Sequence, residues 1–188
     1  MTQEDIEEYF SIAKSSMDDS IEHLEKELAR ISTGKANPNL VGGLMVDYYG
    51  SPTPMSQVAN LSVADARTIT IQPWEKSMIG PIERAIFEAN LGVTPQNDGT
   101  MVRISIPPLT EDRRKQLVKA AKDKGEDAKV SIRSVRKDLM DGIKKAVKDG
   151  YPEDAGKRAE DEAQKLVKSY EAKVDAHIEH KEGDILTI

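Results

Sequence analysis

Three stretches of this chain repeat apolar residues every three or four positions over roughly thirty to forty residues each, and no such helical stripe can hide itself from water alone. The first runs Ile6, Phe10, Ala13, Met17, Ile21, Leu24, Leu28 and Ile31, between Thr2 and Thr33. Thr2 and Asp5 form a capping pair at its start, and Gly34 followed by Pro38 marks its end. The second runs Leu117, Ala121, Ala128, Ile132, Val135, Leu139, Ile143 and Ala146, opening after Pro107-Pro108 and closing before Gly150. The third follows Pro152 as Ala159, Ala163, Leu166, Tyr170, Val174 and Ile178. At 1.5 Å rise per residue such helices span roughly 45 to 60 Å. Three amphipathic rods in one chain bury their stripes most simply against one another, which predicts an elongated three-helix bundle.

Residues 34 to 106 change period from about 3.6 to 2. Alternation appears in Leu44, Val46 and Tyr48, in Thr68-Ile69-Thr70-Ile71, and in Val102, Ile104 and Ile106. Met78 to Phe87 reads as one short helix, and Gly50-Ser51-Pro52, Gln72-Pro73 and Asp98-Gly99 read as turns. The fold class is therefore α+β: residues 1–33 and 107–188 form the bundle, and residues 34–106 form a small inserted β/α/β domain. The domain hangs from the bundle by two crossings, where Gly34 and Lys35 on one side and Pro107 and Pro108 on the other form the expected hinge.

Composition limits what this architecture does. The 188 residues contain no cysteine, so no disulfide or thiolate metal site is available, which suits a reducing compartment. The acidic start Met1-Thr2-Gln3-Glu4-Asp5 lacks the basic-then-apolar pattern of an export signal, and no apolar run reaches membrane-spanning length. The expectation is a soluble, monomeric cytoplasmic protein with no membrane partner. A net charge of −6 argues against indiscriminate nucleic-acid binding, but it conceals segregation. Residues 2–33 hold 3 basic and 9 acidic side chains and residues 151–188 hold 6 and 10, whereas residues 110–149 hold 13 basic and 8 acidic. Stepping 100° per residue gathers Lys115, Lys119, Lys122, Lys129, Arg133, Arg136, Lys137, Lys144 and Lys148 on one flank of the middle helix, with Asp123, Asp127, Asp138, Asp141 and Asp149 on the other. One reading is a footprint for a phosphate backbone. The other is a solvated face, or pairing with the acidic first and third helices.

Catalytic constellations are missing from the sequence. Ser32-Thr33-Gly34-Lys35-Ala36 superficially resembles a phosphate loop, but the upstream glycine is absent and Ala36 stands where a hydroxyl would hold magnesium. His177 and His180 stand three residues apart beside Glu179, a spacing that reads as a solvated helix end more readily than as a metal site. The carboxylate pairs Glu7-Glu8, Asp18-Asp19 and Asp161-Glu162 sit on polar helix faces, so no acid/base pair is nominated. Trp74 and Tyr48-Tyr49 read as core or sheet-surface residues rather than a base-stacking platform. The expectation is a non-enzymatic protein with no metal and no cofactor.

Three segments resemble ribosome recycling factor in the family's own order: Val46 to Pro54, Pro107 to Arg114, and Arg133 to Asp138. Chain length agrees, so the resemblance covers nearly the whole sequence. It implies an L-shaped molecule with a three-helix bundle and an inserted β/α/β domain. It also implies a translation factor that binds the post-termination ribosome and, with elongation factor G and GTP, splits it into subunits, consuming no nucleotide itself. The family's arginines in the helix motif fall on Arg133 and Arg136, its next basic position on Lys137, and its Arg-Arg pair on Arg113 and Arg114. With Lys122 and Lys129 on the same flank, these seven are the residues expected to meet large-subunit ribosomal RNA. Departures occur at Ser32 and Lys35, where the family carries arginine, and at Ser134, where asparagine is usual; a lysine there is a point charge without the guanidinium fork. The competing reading is a helical interaction scaffold or chaperone-like bundle whose charges only solubilise it.

Overall fold

The computed structural model describes residues 2–187. Three long helices dominate it: α1 (Gln3–Ala29), α4 (Glu111–Lys148) and α5 (Glu153–Leu186). Between α1 and α4 lie α2 (Asn39–Gly42), β1 (Met45–Tyr48), β2 (Ser51–Pro54), β3 (Ala59–Asp65), β4 (Thr68–Pro73), α3 (Ile79–Glu88), β5 (Pro95–Asn97) and β6 (Val102–Ser105). The chain divides into two compact units, one built from the residues up to Leu28 and from Gln116 onward, the other from Ala29–Lys115.

The first unit is a bundle whose helix ends follow from local chemistry. At the start of α1 the Thr2 N–H donates to Asp5 Oδ2 at 2.6 Å and the Asp5 N–H donates to Thr2 Oγ1 at 3.4 Å, a reciprocal cap that satisfies two orphan donors. The Thr2 N–H bond, with a second from the Thr2 hydroxyl to the same carboxylate oxygen at 3.2 Å, holds the Asp5 carboxyl below its ordinary pKa. The helix stops at Ala29 rather than Thr33. Ile31, Ser32 and Thr33 are β-branched or hydroxyl-bearing, poor helix formers with nothing beyond them to extend into, since Gly34 turns the backbone at φ +74°. At the far end of α4, Gly150 takes φ +106°, and the Tyr151 N–H reaches back to the Ala146 carbonyl at 2.9 Å. Pro152 then opens α5.

All three stripes turn inward. Ile6, Phe10 and Ala13 of α1, Leu139, Ile143 and Ala146 of α4, and Tyr151, Ala159 and Ala163 share one buried cluster. The helices meet at small residues: the Cβ that Gly125 lacks would lie 2.7 Å from Ile178 Cγ1, and the one that Gly142 lacks would lie 3.3 Å from the Tyr9 ring. Such seams let backbones approach until side chains interlock. Two buried tyrosines add directional bonds. Tyr151 Oη donates to Gln3 Oε1 at 2.5 Å, and Tyr170 Oη donates to Asp18 Oδ1 at 2.5 Å.

The second unit is antiparallel throughout. Strands β1 and β2 form a hairpin closed by Tyr49 and Gly50 at φ +50° and +87°, with the Asp47 carboxylate accepting the Gly50 N–H at 2.7 Å. Two positive φ values match the twist of a two-residue hairpin, so Ser51-Pro52, read in the sequence as a turn, instead begins a strand. Strands β3 to β6 make a four-stranded sheet in the order β3-β4-β6-β5. The expected strands at Thr68 and Val102 pair with each other, Ile69 opposite Ile104 and Ile71 opposite Val102. Two further strands, β3 and β5, carried no clean alternation, because the exposed edge of β3 leaves both faces of its last residues in water. Helix α3 (preceded by a 3-10 turn over Lys76–Met78) covers the core with Ile82, Ala85 and Ile86, against Val46, Ile69, Ile71, Val102 and Ile104.

Two expectations follow. Gly125→Val should destabilise the bundle by about 2 to 3 kcal/mol, because the added atoms overlap Ile178 in a tightly packed seam. Gly183→Ala on α5, where the space is open, should stabilise it by about 0.5 kcal/mol; paired urea denaturations read both. Burial, together with the Asp18 bond, pushes the Tyr170 phenol up to about 12. The folded chain therefore keeps a proton that the unfolded chain releases near pH 10, so this contribution is complete below pH 10 and lost as pH climbs toward 12. Alkaline melts of Tyr170→Phe should show a shallower loss over that window than the parent protein.

Candidate nucleic-acid interface

The basic flank of α4 lies beside α5, and much of it is engaged there. Lys122 Nζ pairs with Glu182 at 3.4 Å, Lys129 Nζ with Asp175 at 2.7 Å, and Arg133 Nε with Glu171 at 3.8 Å. The rungs advance by seven and four residues along α4 and retreat by seven and four along α5, as an antiparallel pair of helices in fixed register requires. Lys129 is the best held: its side chain is 20% exposed, and the hydrogen bond to Asp175 raises its pKa. Arg133 is looser, with 54% of its side chain exposed and the longest of the three contacts. On the opposite flank Lys124 reaches Glu27 of α1 at 3.2 Å, and Ser131 shares a 2.8 Å hydrogen bond with Ser20.

Arg136 and Lys137 differ. Neither makes an ion pair among the described residues, although Arg136 is half-buried. Of the seven residues read from the sequence as RNA-facing, then, Arg136 and Lys137 present unneutralised cations, Arg133 presents a loosely held one, and Lys122 and Lys129 are partnered within the bundle. Arg113 and Arg114 belong to the other compact unit. Their N–H groups donate to Thr110 Oγ1 at 3.1 Å and Thr110 O at 3.0 Å, so Thr110 caps α4. Arg113 lines a cavity of ≈440 Å³ with Arg30, Leu40, Ile104, Pro107 and Leu109, and Arg114 Nε is buried with no hydrogen-bond partner. The sequence could not separate these cases, because the carboxylates that partner Lys122, Lys129 and Arg133 stand some forty to sixty residues away along the chain.

The expected hinge residues lie in the two connecting segments of the Ala29–Lys115 unit. Gly34 sits at φ +74° with Leu109 Cγ 3.1 Å from where its Cβ would be, so both the angle and the space favour glycine. Lys35, Pro107 and Pro108 are exposed. Elsewhere, His177 Nε2 approaches Glu25 at 3.2 Å while His180 Nδ1 approaches Asp184 at 3.3 Å, so the two histidines have separate partners. Tyr48 and Tyr49 meet edge to face and both donate to Glu75, at 3.0 and 2.6 Å, which lowers the Glu75 carboxyl pKa. No helix among the described residues is long and apolar enough to cross a membrane.

The chain is thus a three-helix bundle interrupted after its first helix by an antiparallel α+β unit, with a cationic flank on its middle helix. The family model for ribosome recycling factor matches residues 24–186, and this chain belongs to that family. Curated ribosome-recycling factors from Cytophaga hutchinsonii and Flavobacterium psychrophilum are 51% and 52% identical to it over 185 residues, covering 98% of this chain and 100% and 99% of theirs. A solution structure of a ribosome recycling factor superposes with a TM-score of 0.82 at 34% identity, covering both chains fully. A second structure, at TM-score 0.69 and 42% identity over 97% of this chain and 99% of that one, is described as models for the T. thermophilus ribosome recycling factor and the E. coli elongation factor G bound to the E. coli post-termination complex.

The rungs should differ in strength by burial. A double-mutant cycle on Lys129 and Asp175 should give a coupling of about 0.5 to 1 kcal/mol, and one on Arg133 and Glu171 about 0 to 0.5 kcal/mol, both shrinking with added salt. Since the Lys129 pKa is raised on folding, its contribution is fully present at neutral pH and lost only as pH rises through the lysine range.

Proposed function

We propose that this protein binds the post-termination ribosome and, together with elongation factor G and GTP, splits it into subunits so that they are released from mRNA. The observation that carries this is similarity across almost the entire chain, at about half identity, to proteins named for that activity. The described partnership of a relative with elongation factor G on the post-termination complex supports the same partners here. The protein acts without chemistry of its own: the GTPase supplies the nucleotide step, and this chain supplies shape and charge. It works in the cytoplasm, as a monomer.

In this reading the bundle is the RNA-binding part, residues 1–33 with 107–188, and the inserted α+β part, residues 34–106, faces the GTPase. Arg136, Lys137 and Arg133 meet ribosomal RNA, through phosphates or base edges, and Gly34, Lys35, Pro107 and Pro108 let the two parts reorient. The scaffold reading draws on the internal pairing of Lys122, Lys129 and Arg133, which accounts for those charges without any partner. It leaves Arg136 and Lys137 unaccounted for.

Splitting is read directly by light scattering of post-termination complexes with elongation factor G and GTP. Addition of this protein should produce free subunits, and no splitting above the control without it would overturn the proposal. For the interface, Arg136→Ala should change stability by no more than about 0.5 kcal/mol. It should weaken binding to large subunits by about 1 to 3 kcal/mol, one to two decades, and flatten the salt slope by about one unit if the contact is to phosphate. Asp138→Ala, on the other flank, should leave binding unchanged. A folded Arg136→Ala protein with full ribosome affinity and an unchanged salt slope would remove this arginine from the interface.

A further inference from the structure

Past the Arg133–Glu171 rung no ion pair joins α4 to α5 among the described residues, and the first positions beyond it are positive on both helices. Moving three or four residues past the Arg133–Glu171 rung brings Arg136 and Lys137 on α4 opposite Lys168 and Val167 on α5, by the same register that the three observed rungs obey. The flank of α5 that faces the cations reads Glu182, Asp175, Glu171, then Lys168 and Gln164, before Glu160 and Asp161 restore negative charge opposite Lys144. Lys168 is exposed and, like Arg136 and Lys137, makes no ion pair among the described residues. Its neighbours one turn away are Gln164 and Ala172, and the nearby Glu171 already faces Arg133. Around Arg136 the neighbours one turn away are Ile132 and Met140, and the Asp141 that follows Lys137 by one turn makes no ion pair with it within 4 Å.

We propose that Lys168 is a phosphate-binding residue, completing with Arg136 and Lys137 a three-cation site across the groove between α4 and α5 that seats the backbone of ribosomal RNA. This rests on the proposed function and extends it to a second helix. Folding gains nothing from the arrangement: by the register of the rungs three like charges lie together, one of them half-buried, where each of the three rungs before them has a carboxylate. Like charges in such a position oppose folding, and a polyanion relieves them. The paired rungs Lys122–Glu182, Lys129–Asp175 and Arg133–Glu171 neutralise the flank on one side of this strip, so the groove favours a phosphate backbone beyond Arg133 rather than before it.

The inference predicts opposite effects on stability and binding, which a structural lysine would not show. In the full chain, Lys168→Ala should weaken co-sedimentation with isolated large ribosomal subunits about three- to tenfold and reduce the slope of log affinity against log KCl by about one. Lys168→Glu should weaken binding further, yet raise the melting midpoint by about 2 °C, since it supplies the missing carboxylate opposite Arg136. Arg136→Ala is measured in parallel. If Arg136→Ala weakens binding while both Lys168 variants bind like the parent, Lys168 is outside the interface and the proposed function stands. If all three bind like the parent, the basic face of α4 is not the RNA surface at all. A Lys168→Glu protein that melts lower than the parent would show that the ladder has no positive gap and would overturn the inference on its own.

Discussion

Close approach of three helices governs the bundle. The apolar stripes of α1, α4 and α5 are excluded from water only if the rods lie nearly in contact, and small residues allow that: Ala13, Ala121, Ala128, Ala146 and Ala159 are buried at the seams, with Gly125 and Gly156 where a neighbouring side chain leaves no room for a Cβ. Contact at that distance fixes the rotation and the axial register of each helix. Register in turn decides which surface charges meet. The cation–carboxylate rungs between α4 and α5 are a consequence of core packing rather than its cause, since each exposed pair contributes only a few tenths of a kcal/mol while each buried Leu or Ile contributes about 1.5 to 3.

This dependence links packing to function. A helix with an even coat of charge would attract RNA without preference along its length. Here the same register that buries Ile132, Leu139 and Ile143 neutralises Lys122 and Lys129 and leaves Arg136 and Lys137 bare. The core thus shapes the electrostatic surface, and a slip of one helix by one turn would both open cavities in the seam and move the free cations. In the second unit the comparable constraint is the antiparallel pairing of β4 with β6, which puts Ile69 against Ile104 and Ile71 against Val102 beneath α3.

Long, strongly periodic elements were legible in the sequence, because burying one face of a helix or one side of a strand leaves a period that no other structure produces. Short elements without such a period were not. Strand β2 begins at Ser51-Pro52, residues that signal a turn, and its existence is decided by the positive φ values of Tyr49 and Gly50 and by its partner β1. Strand β5 is three residues long and is defined by its pairing with β6. The end of α1 at Ala29 likewise went unread, since Ile31 continues the apolar spacing while the backbone has already left the helix.

The candidate interface divides the same way. From residue order alone came the excess of basic residues on the middle helix, their collection on one flank by the helical repeat, and the family to which the arginine motif points. All of these follow from composition and local periodicity, which the chain carries along its own length. Tertiary structure alone decided which of those cations are free. Whether a lysine faces a carboxylate depends on residues forty or more positions away brought alongside by packing, and a difference of one rung separates Arg133, which faces Glu171, from Arg136, which faces no acid. Charge pairing acts over a few ångströms in space, and the order of residues specifies those distances only after the core has set the register.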